Sequence, residues 1–464
     1  MTAVQRLQAE LGTIVSVEPA ELAASRTDKS GWVAPGMPLA LVRAASVDHV
    51  QATLRIATEF GIPVVTRGAG TGLAGGACGT DGSIVLSVAG MNRILEIRPE
   101  DELAVVEPGV INQQLNDALA EHGLWFAPDP ASKAISTVGG NIATNAGGLL
   151  CAKYGVTREA VLALTVVLAD GSLLKTGHRT VKGVTGYDLT ALLTGSEGTL
   201  GVIVEATVRT RAITVGETVT IGAVFPCVTA AAAAAAAITA ARLRPAVMEL
   251  LDEVALAVIA DYLGPDDAAG LPLGEGAFLL VQTDGPAAPE EAERVLEVLS
   301  AAGGVARRST DAESGERLLA IRRAFHPALV AQGEVLIEDV SVPRSRMAEM
   351  FQAIAEISAR TGVPIPTVAH AGDGNLHPNF VIPADPLRAV DAPIVPEQIW
   401  DAAGELFRAA LELGGTLTGE HGVGVLKRRW LAEELGETGF DLQRQIKAVF
   451  DPLGILNPGT MFAR

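Results

Sequence analysis

The chain has 464 residues, more than one ordinary domain of about 100–200 residues holds, so two domains are expected. Hydrophobic residues at 48% with aromatics at only 4% call for a core of Ala, Val, Leu and Ile and argue against a disordered chain. The 35 basic and 54 acidic residues leave a net charge of −19, which opposes nucleic acid or anionic lipid as a partner and requires local positive charge for any anionic substrate.

Residues 1–11 are polar and helix-like, without an apolar signal core, and no run of about 18 apolar residues follows anywhere. Ser46 is placed to cap a helix whose Val47, Val50, Leu54 and Ala57 share one face and which Gly61 can end. A strand over residues 62–66 then runs into Arg67-Gly-Ala-Gly-Thr-Gly-Leu-Ala-Gly-Gly76, with five glycines in ten residues. Such backbone can turn several N–H groups toward one anion, as a diphosphate needs, and Arg67 can add charge; a flexible hairpin turn is the other reading. No helical pattern follows, so the loop is not a Rossmann fingerprint. Cys78, Cys151 and Cys227 lie far apart, which argues against a disulfide framework, a cysteine zinc site or an iron–sulfur cluster and fits a reducing compartment such as the cytoplasm.

A second glycine cluster, Ser136-Thr-Val-Gly-Gly-Asn-Ile-Ala-Thr-Asn-Ala-Gly-Gly148, and a third, Gly195-Ser-Glu-Gly-Thr-Leu-Gly201, read as further loops. The latter precedes a β-branched strand over 202–208. Three such loops carrying Thr, Ser and Asn donors favour a dinucleotide held along its length over three unrelated turns. The alanine run at 230–237 reads as a tightly packed helix, too short to span a bilayer. Strands are expected at 218–225, 248–251, 278–282 and 335–342, with helices at 290–302 and 344–360.

Near the C-terminus, His370-Ala-Gly-Asp-Gly-Asn-Leu-His377 and Gly419-Glu-His-Gly422 gather three of the seven histidines and a carboxylate among glycines. Two imidazoles and a carboxylate from among His370, His377, Glu420 and His421 suit a divalent ion with an open position, and the third histidine remains as a proton acceptor. Zn²⁺ and Mn²⁺ both suit this ligand set. A metal-dependent hydrolase would use the same set but leaves the glycine loops unexplained. A noncatalytic dinucleotide- or metal-binding module leaves a histidine beside a ligand carboxylate without a purpose.

The three glycine segments, with Val106-Glu-Pro-Gly-Val110, Lys153-Tyr-Gly155 and Val184-Thr-Gly-Tyr-Asp-Leu189, resemble the FAD-binding domain of the vanillyl-alcohol oxidase flavoprotein superfamily. Glu338-Asp-Val-Ser-Val-Pro343, the two histidine segments and Asn457-Pro-Gly459 resemble its D-2-hydroxy acid dehydrogenase branch, which includes D-lactate and D-2-hydroxyglutarate dehydrogenases and the flavin subunit of glycolate oxidase. The likeness runs over residues 39–459. It implies an α+β fold: a two-subdomain FAD-binding domain over 1–211, an antiparallel-sheet cap domain over 212–415, and a segment over 416–464 returning to the flavin.

The resemblance assigns Arg67, Gly68, Ala69, Gly70, Thr71, Gly72 and Leu73 to the diphosphate loop. It assigns Pro108, Gly109, Ser132, Thr137, Gly140, Asn145, Gly198, Ile203 and Asn457 to neighbouring FAD contacts. Some relatives attach FAD through a histidine near that loop; here only Cys78 is near, so FAD is expected to be noncovalent. The resemblance puts the metal on His370, His377 and Glu420 and the base at His421. Arg322 matches the arginine that clamps the substrate carboxylate, and Asn379 is expected close by. Ile337 and His326 stand where D-2-hydroxyglutarate dehydrogenases carry a lysine and a threonine, so a second carboxylate would meet apolar surface, and D-lactate or a longer homologue is expected. Leu319 and Thr460 also depart from the family's usual tryptophan and lysine. Electrons would pass to a quinone, an acceptor protein or oxygen, and relatives suggest a homodimer.

Overall fold

The computed structural model describes residues 1–268, 276–382 and 395–463, which divide into two compact units. Unit 1 comprises Met1–Gly148, Gly155–Ile213 and Glu420–Arg464; unit 2 comprises Leu149–Tyr154 and Thr214–Gly419.

Unit 1 carries strands β1 (Val15–Ser16), β2 (Ala40–Arg43), β3 (Val64–Arg67), β4 (Ile84–Ser87), β5 (Ile94–Arg98), β6 (Leu103–Val106), β7 (Leu124–Trp125), β8 (Val161–Val167), β9 (Leu173–Gly177), β10 (Val202–Arg209) and β11 (Arg211–Ala212). The first sheet has the order β1-β2-β4-β3, with β2, β4 and β3 parallel. Parallel strands are covered on both faces, which is why β2 and β4 are apolar almost throughout. The helix Val47–Phe60 packs on them through Val50, Leu54 and Ala57. The Ser46 hydroxyl accepts from the His49 N–H at 3.3 Å, and Gly61 ends the helix in the left-handed region at φ 64°. β3 then enters the first glycine loop, and no helix intervenes before β4.

The second sheet, β5-β6-β10-β8-β9, is wholly antiparallel. Its core includes Val138 and Ile142 of a helix, Val138–Thr144. This helix corrects the reading of 136–148 as a loop. Thr137 caps it by accepting from the Gly140 N–H, and Asn145 closes it at φ 50°, so the glycines sit within a capped turn of helix.

Unit 2 is built on β12 (Glu217–Phe225), β13 (Val247–Leu251), β14 (Ala277–Gly285), β15 (Val305–Arg308), β16 (Glu334–Ile337), β17 (Val340–Ser341), β18 (Thr367–His370) and β19 (Asn375–Ile382). They form one antiparallel sheet, β15-β12-β14-β13-β18-β19-β16, with β17 also on β19. The alanine run lies in the helix Val228–Ala240, whose buried methyls at Ala231, Ala232, Ala234 and Ala235 let it sit close to β14. The helix Ala312–Val330 covers the sheet with Leu319, Ile321 and Phe325 against Leu251, Leu280 and Val368.

In unit 2 two elements differ from expectation. The helix expected over 344–360 opens with a 3₁₀ turn, Arg344–Arg346, before Met347–Thr361. The strand expected over 335–342 is interrupted between β16 and β17 although both keep the same register against β19. The residue facing Glu338 is Pro378: its carbonyl accepts from the Glu338 N–H at 2.9 Å, and it has no N–H to return. Among the described residues no helix is long and apolar enough to cross a membrane.

Candidate active site

In unit 1 the segments expected to hold FAD abut one another. A Cβ on Gly68 would collide with the Thr137 hydroxyl, and one on Gly139 would collide with Pro108. Gly109 lies under the Val88 and Ala89 carbonyls, each 2.6 Å from where a Cβ would stand. Asn457 donates to the Gly76 carbonyl at 2.8 Å and the Glu197 carbonyl at 2.7 Å, drawing the first and third glycine loops together, and Gly198 faces Asn457 and Thr66. Asn145 lies beside Gly195 and accepts from the Arg158 N–H at 2.8 Å. Ser132 accepts, through its carbonyl, from the Ile135 and Ser136 N–H groups ahead of the helix, and Ile203 is half-buried on β10.

Arg67 stands behind the loop. Its Nη1 donates to the Thr27 and Ala77 carbonyls at 2.7 and 2.9 Å, and a side chain on Gly70 would strike its Nη2. Ala69, Thr71, Gly72 and Leu73 lie in this same half-open loop. The buried atoms Thr66 Oγ1, Ser136 Oγ and Asn141 Nδ2 have no hydrogen-bond partner among the described residues. Buried polar atoms are seldom left so. Side-chain-free backbone beside such atoms fits a long polar cofactor such as FAD. Cys78 is buried, donates to the Trp32 carbonyl at 3.7 Å and has its thiol pKa pushed far up by burial, so it is an inert core thiol.

In unit 2 the spacing of His370 and His377 follows from a hairpin. β18 ends at His370, which pairs with Asn375 across the turn, so His377 lies two residues further along β19 on the same face. The rings meet edge to face, 4.9 Å between centroids, and both are buried. The register carries Glu249 opposite His370 and Ile337 opposite Asn379 onto that face as well. Asp339 accepts from Asn375 Nδ2 and the Thr418 hydroxyl, each at 2.7 Å, with its Oδ1 3.8 Å from His377 Nδ1. Asn379 donates to the His377 carbonyl at 2.7 Å.

Glu249, absent from the expected site, is its central unit 2 residue. Fully buried on β13, it meets His370 Nδ1 at 2.6 Å through Oε1 and Arg322 Nε at 2.7 Å through Oε2. Burial alone would raise its pKa; the neighbouring His370 and Arg322 outweigh this and hold it below the ordinary carboxylate range. An ionised carboxylate only accepts, so His370 Nδ1 carries a proton, and in a ring that binds a metal the lone pair would lie on Nε2. That is the tautomer a metal ligand needs. Two imidazoles on one face, one so fixed, fit the nitrogen share of a divalent metal site. Arg322 is 17% exposed where Arg323 is 60%, and its terminal nitrogens bond nothing among the described residues, leaving a planar fork for a carboxylate. His326, one turn along the same helix, is exposed.

The remaining expected residues lie where the chain leaves unit 2. Gly419 borders Asn375 and Asp339, leaving no room for a side chain there. The next residue, Glu420, belongs to unit 1, where its carboxylate lies against Gly147. His421 follows, half-buried, and then the Val423 and Gly424 N–H groups donate to the Glu197 carboxylate at 2.7 and 2.8 Å.

A glycine cradle that fits a long polar cofactor in one unit and an arginine fork in the other are in keeping with the class to which likeness to known proteins assigns the chain, the flavin-dependent oxidoreductases. The chain belongs to the FAD-linked oxidases: residues 38–177 match the FAD binding domain and residues 216–461 the C-terminal domain of FAD linked oxidases. It is 43% identical to glycolate oxidase subunit GlcD of Bacillus subtilis (strain 168), over 92% of this chain and 90% of that one. It is 37% identical to D-lactate dehydrogenase of Archaeoglobus fulgidus, over 97% and 98%. Among solved structures, p-cresol methylhydroxylase with substrate bound shares the fold at TM-score 0.80 and 19% identity, covering 99% of this chain and 96% of that one. The hydrolase and noncatalytic readings fall with this assignment.

Proposed function

We propose that the protein oxidises a small 2-hydroxy monocarboxylic acid, D-lactate or a close homologue, to the 2-oxo acid. The observation that carries this reading is Glu249 binding Arg322 and His370 together, which pairs a fork for a carboxylate with an imidazole fixed as a ligand. Arg322 grips the substrate carboxylate through its terminal nitrogens and so orients the α-carbon. His421 accepts the hydroxyl proton. Noncovalently bound FAD would supply the two-electron acceptor for the α-hydrogen, which leaves as hydride. A divalent ion, Zn²⁺ or Mn²⁺, on His370, His377 and Glu420 would supply the Lewis acidity that eases loss of the hydroxyl proton. Proton and hydride together account for the two electrons and two hydrogens removed. A quinone or an acceptor protein then takes the electrons onward.

Ile337, half-buried and sharing its face with Asn379, offers apolar surface and no partner for a second carboxylate, which disfavours D-2-hydroxyglutarate. Glycolate is a second reading, favoured by the 43% identity to a glycolate oxidase subunit. Anaerobic mixing with D-lactate, L-lactate, glycolate and D-2-hydroxyglutarate, before and after chelation, separates the readings through bleaching of the flavin absorbance. Bleaching by D-lactate that chelation abolishes is expected. Bleaching by glycolate alone selects the second reading, and a flavin left oxidised by all four acids in metal-loaded protein removes both.

A further inference from the structure

We propose that Glu249 is a positioning residue that sets the substrate-carboxylate clamp and a metal-ligating imidazole in one fixed relation. This rests on the reading of His370 as a metal ligand and Arg322 as the clamp.

β13 is buried at every position, and its neighbours in that strand are Val247, Met248, Leu250 and Leu251. A carboxylate there is costly unless its charge is met, and removing either partner would leave charge uncompensated. Glu249 meets two partners, one through each oxygen. Its opposite neighbours are Leu280 on β14 and His370 on β18, so the strand register itself aims the side chain at His370. Arg322 reaches the second oxygen from the helix Ala312–Val330.

Each contact selects one state of its partner. At Nδ1 of His370 the carboxylate requires a donor and so directs the lone pair to Nε2. At Arg322 it occupies Nε and leaves the Nη1–Nη2 edge for an incoming carboxylate. A glutamine could not do both: it has one oxygen to accept with, and its amide N–H₂ would face a partner that must itself donate. Either Arg322 loses its brace or His370 takes the Nε2–H tautomer.

The test uses the full-length protein stripped of metal by chelation and titrated with Zn²⁺ against a chromophoric competitor, with flavin content and circular dichroism recorded for each variant. Wild type should bind Zn²⁺ tightly and Glu249→Gln about 10–100-fold more weakly, the usual loss when a histidine's supporting carboxylate is removed. Arg322→Met, which keeps the contact between Glu249 and His370, should lose less Zn²⁺ affinity than Glu249→Gln while its KM for D-lactate rises, and Glu249→Gln should show the raised KM as well. Wild-type affinity for Zn²⁺ in a folded Glu249→Gln overturns the proposal. Failure of wild type itself to bind Zn²⁺ removes the metal reading and this inference with it. If Glu249→Gln does not fold, the tautomer is read in metal-free wild type by ¹⁵N NMR of its seven labelled histidines, with His370 assigned from His370→Gln. A proton on Nδ1 is expected, and a proton on Nε2 overturns the proposal.

Discussion

His421 and Arg322 act on different parts of a hydroxy acid, so their removal should leave different kinetic signatures. His421→Ala takes away a proton acceptor whose contribution is typically 10²–10⁴-fold, felt in the chemical step. It should leave a folded, yellow protein with a normal flavin content whose kcat, or rate of anaerobic flavin reduction, falls by about that factor. Normal turnover would remove His421 as the base. Arg322→Lys keeps the charge but loses both the planar fork and the Nε–H that Glu249 holds. With one charge-assisted hydrogen bond worth about 1.5–3 kcal/mol, kcat/KM for D-lactate should fall roughly 10- to 100-fold, chiefly through KM. An unchanged KM would return Arg322 to a structural role beside Glu249.

At the level of elements, unit 1 depends on backbone passing where no side chain fits. Gly139→Ala places a methyl against Pro108, at the start of the helix that Thr137 caps. Crowding of this kind costs about 1–3 kcal/mol and here also pushes on the cofactor cradle. The variant should purify with less flavin and melt lower than wild type, and wild-type flavin content would exclude the helix start from the FAD site. Much of this architecture was legible beforehand. Ser46 and Gly61 bracket their helix as capping chemistry requires, and the His370–His377 spacing is what a hairpin needs to bring two rings to one face. Other parts were hidden. The helix Val138–Thr144 is rich in glycine, whose low helix propensity reads as a loop until Thr137, Asn145 and the packing of Val138 and Ile142 are counted. Glu249 escaped notice because nothing local marks it: its meaning comes from partners 73 and 121 positions away. The break at Pro378 likewise shows only once the register is known.

For the whole molecule, stability should decline as pH rises toward 9. Burial pushes Glu197 in unit 1 up to about 7, opposed by the Val423 and Gly424 N–H groups and by Lys427. It pushes Asp252 in unit 2 up to about 8, opposed by the Ala255 and Thr367 N–H groups. Both folded values lie above the ordinary 4.5 and 3.8, so the folded chain holds more protons than the unfolded one across that interval. Their contribution is complete below the unfolded values and is lost as pH rises through about 7 and about 8. For Glu197 the loss is about 3 kcal/mol in order of magnitude, and the net charge of −19 adds self-repulsion in the same direction. Thermal midpoints between pH 5.5 and 9 should therefore fall with rising pH. Glu197→Gln keeps one acceptor for two N–H donors, so it should be less stable than wild type at pH 5.5. Having no proton to lose, it should close that gap as pH passes 7. A gap that stays constant from pH 5.5 to 9 would mean that Glu197 keeps one protonation state throughout, and that its anchoring of the His421 segment is independent of pH.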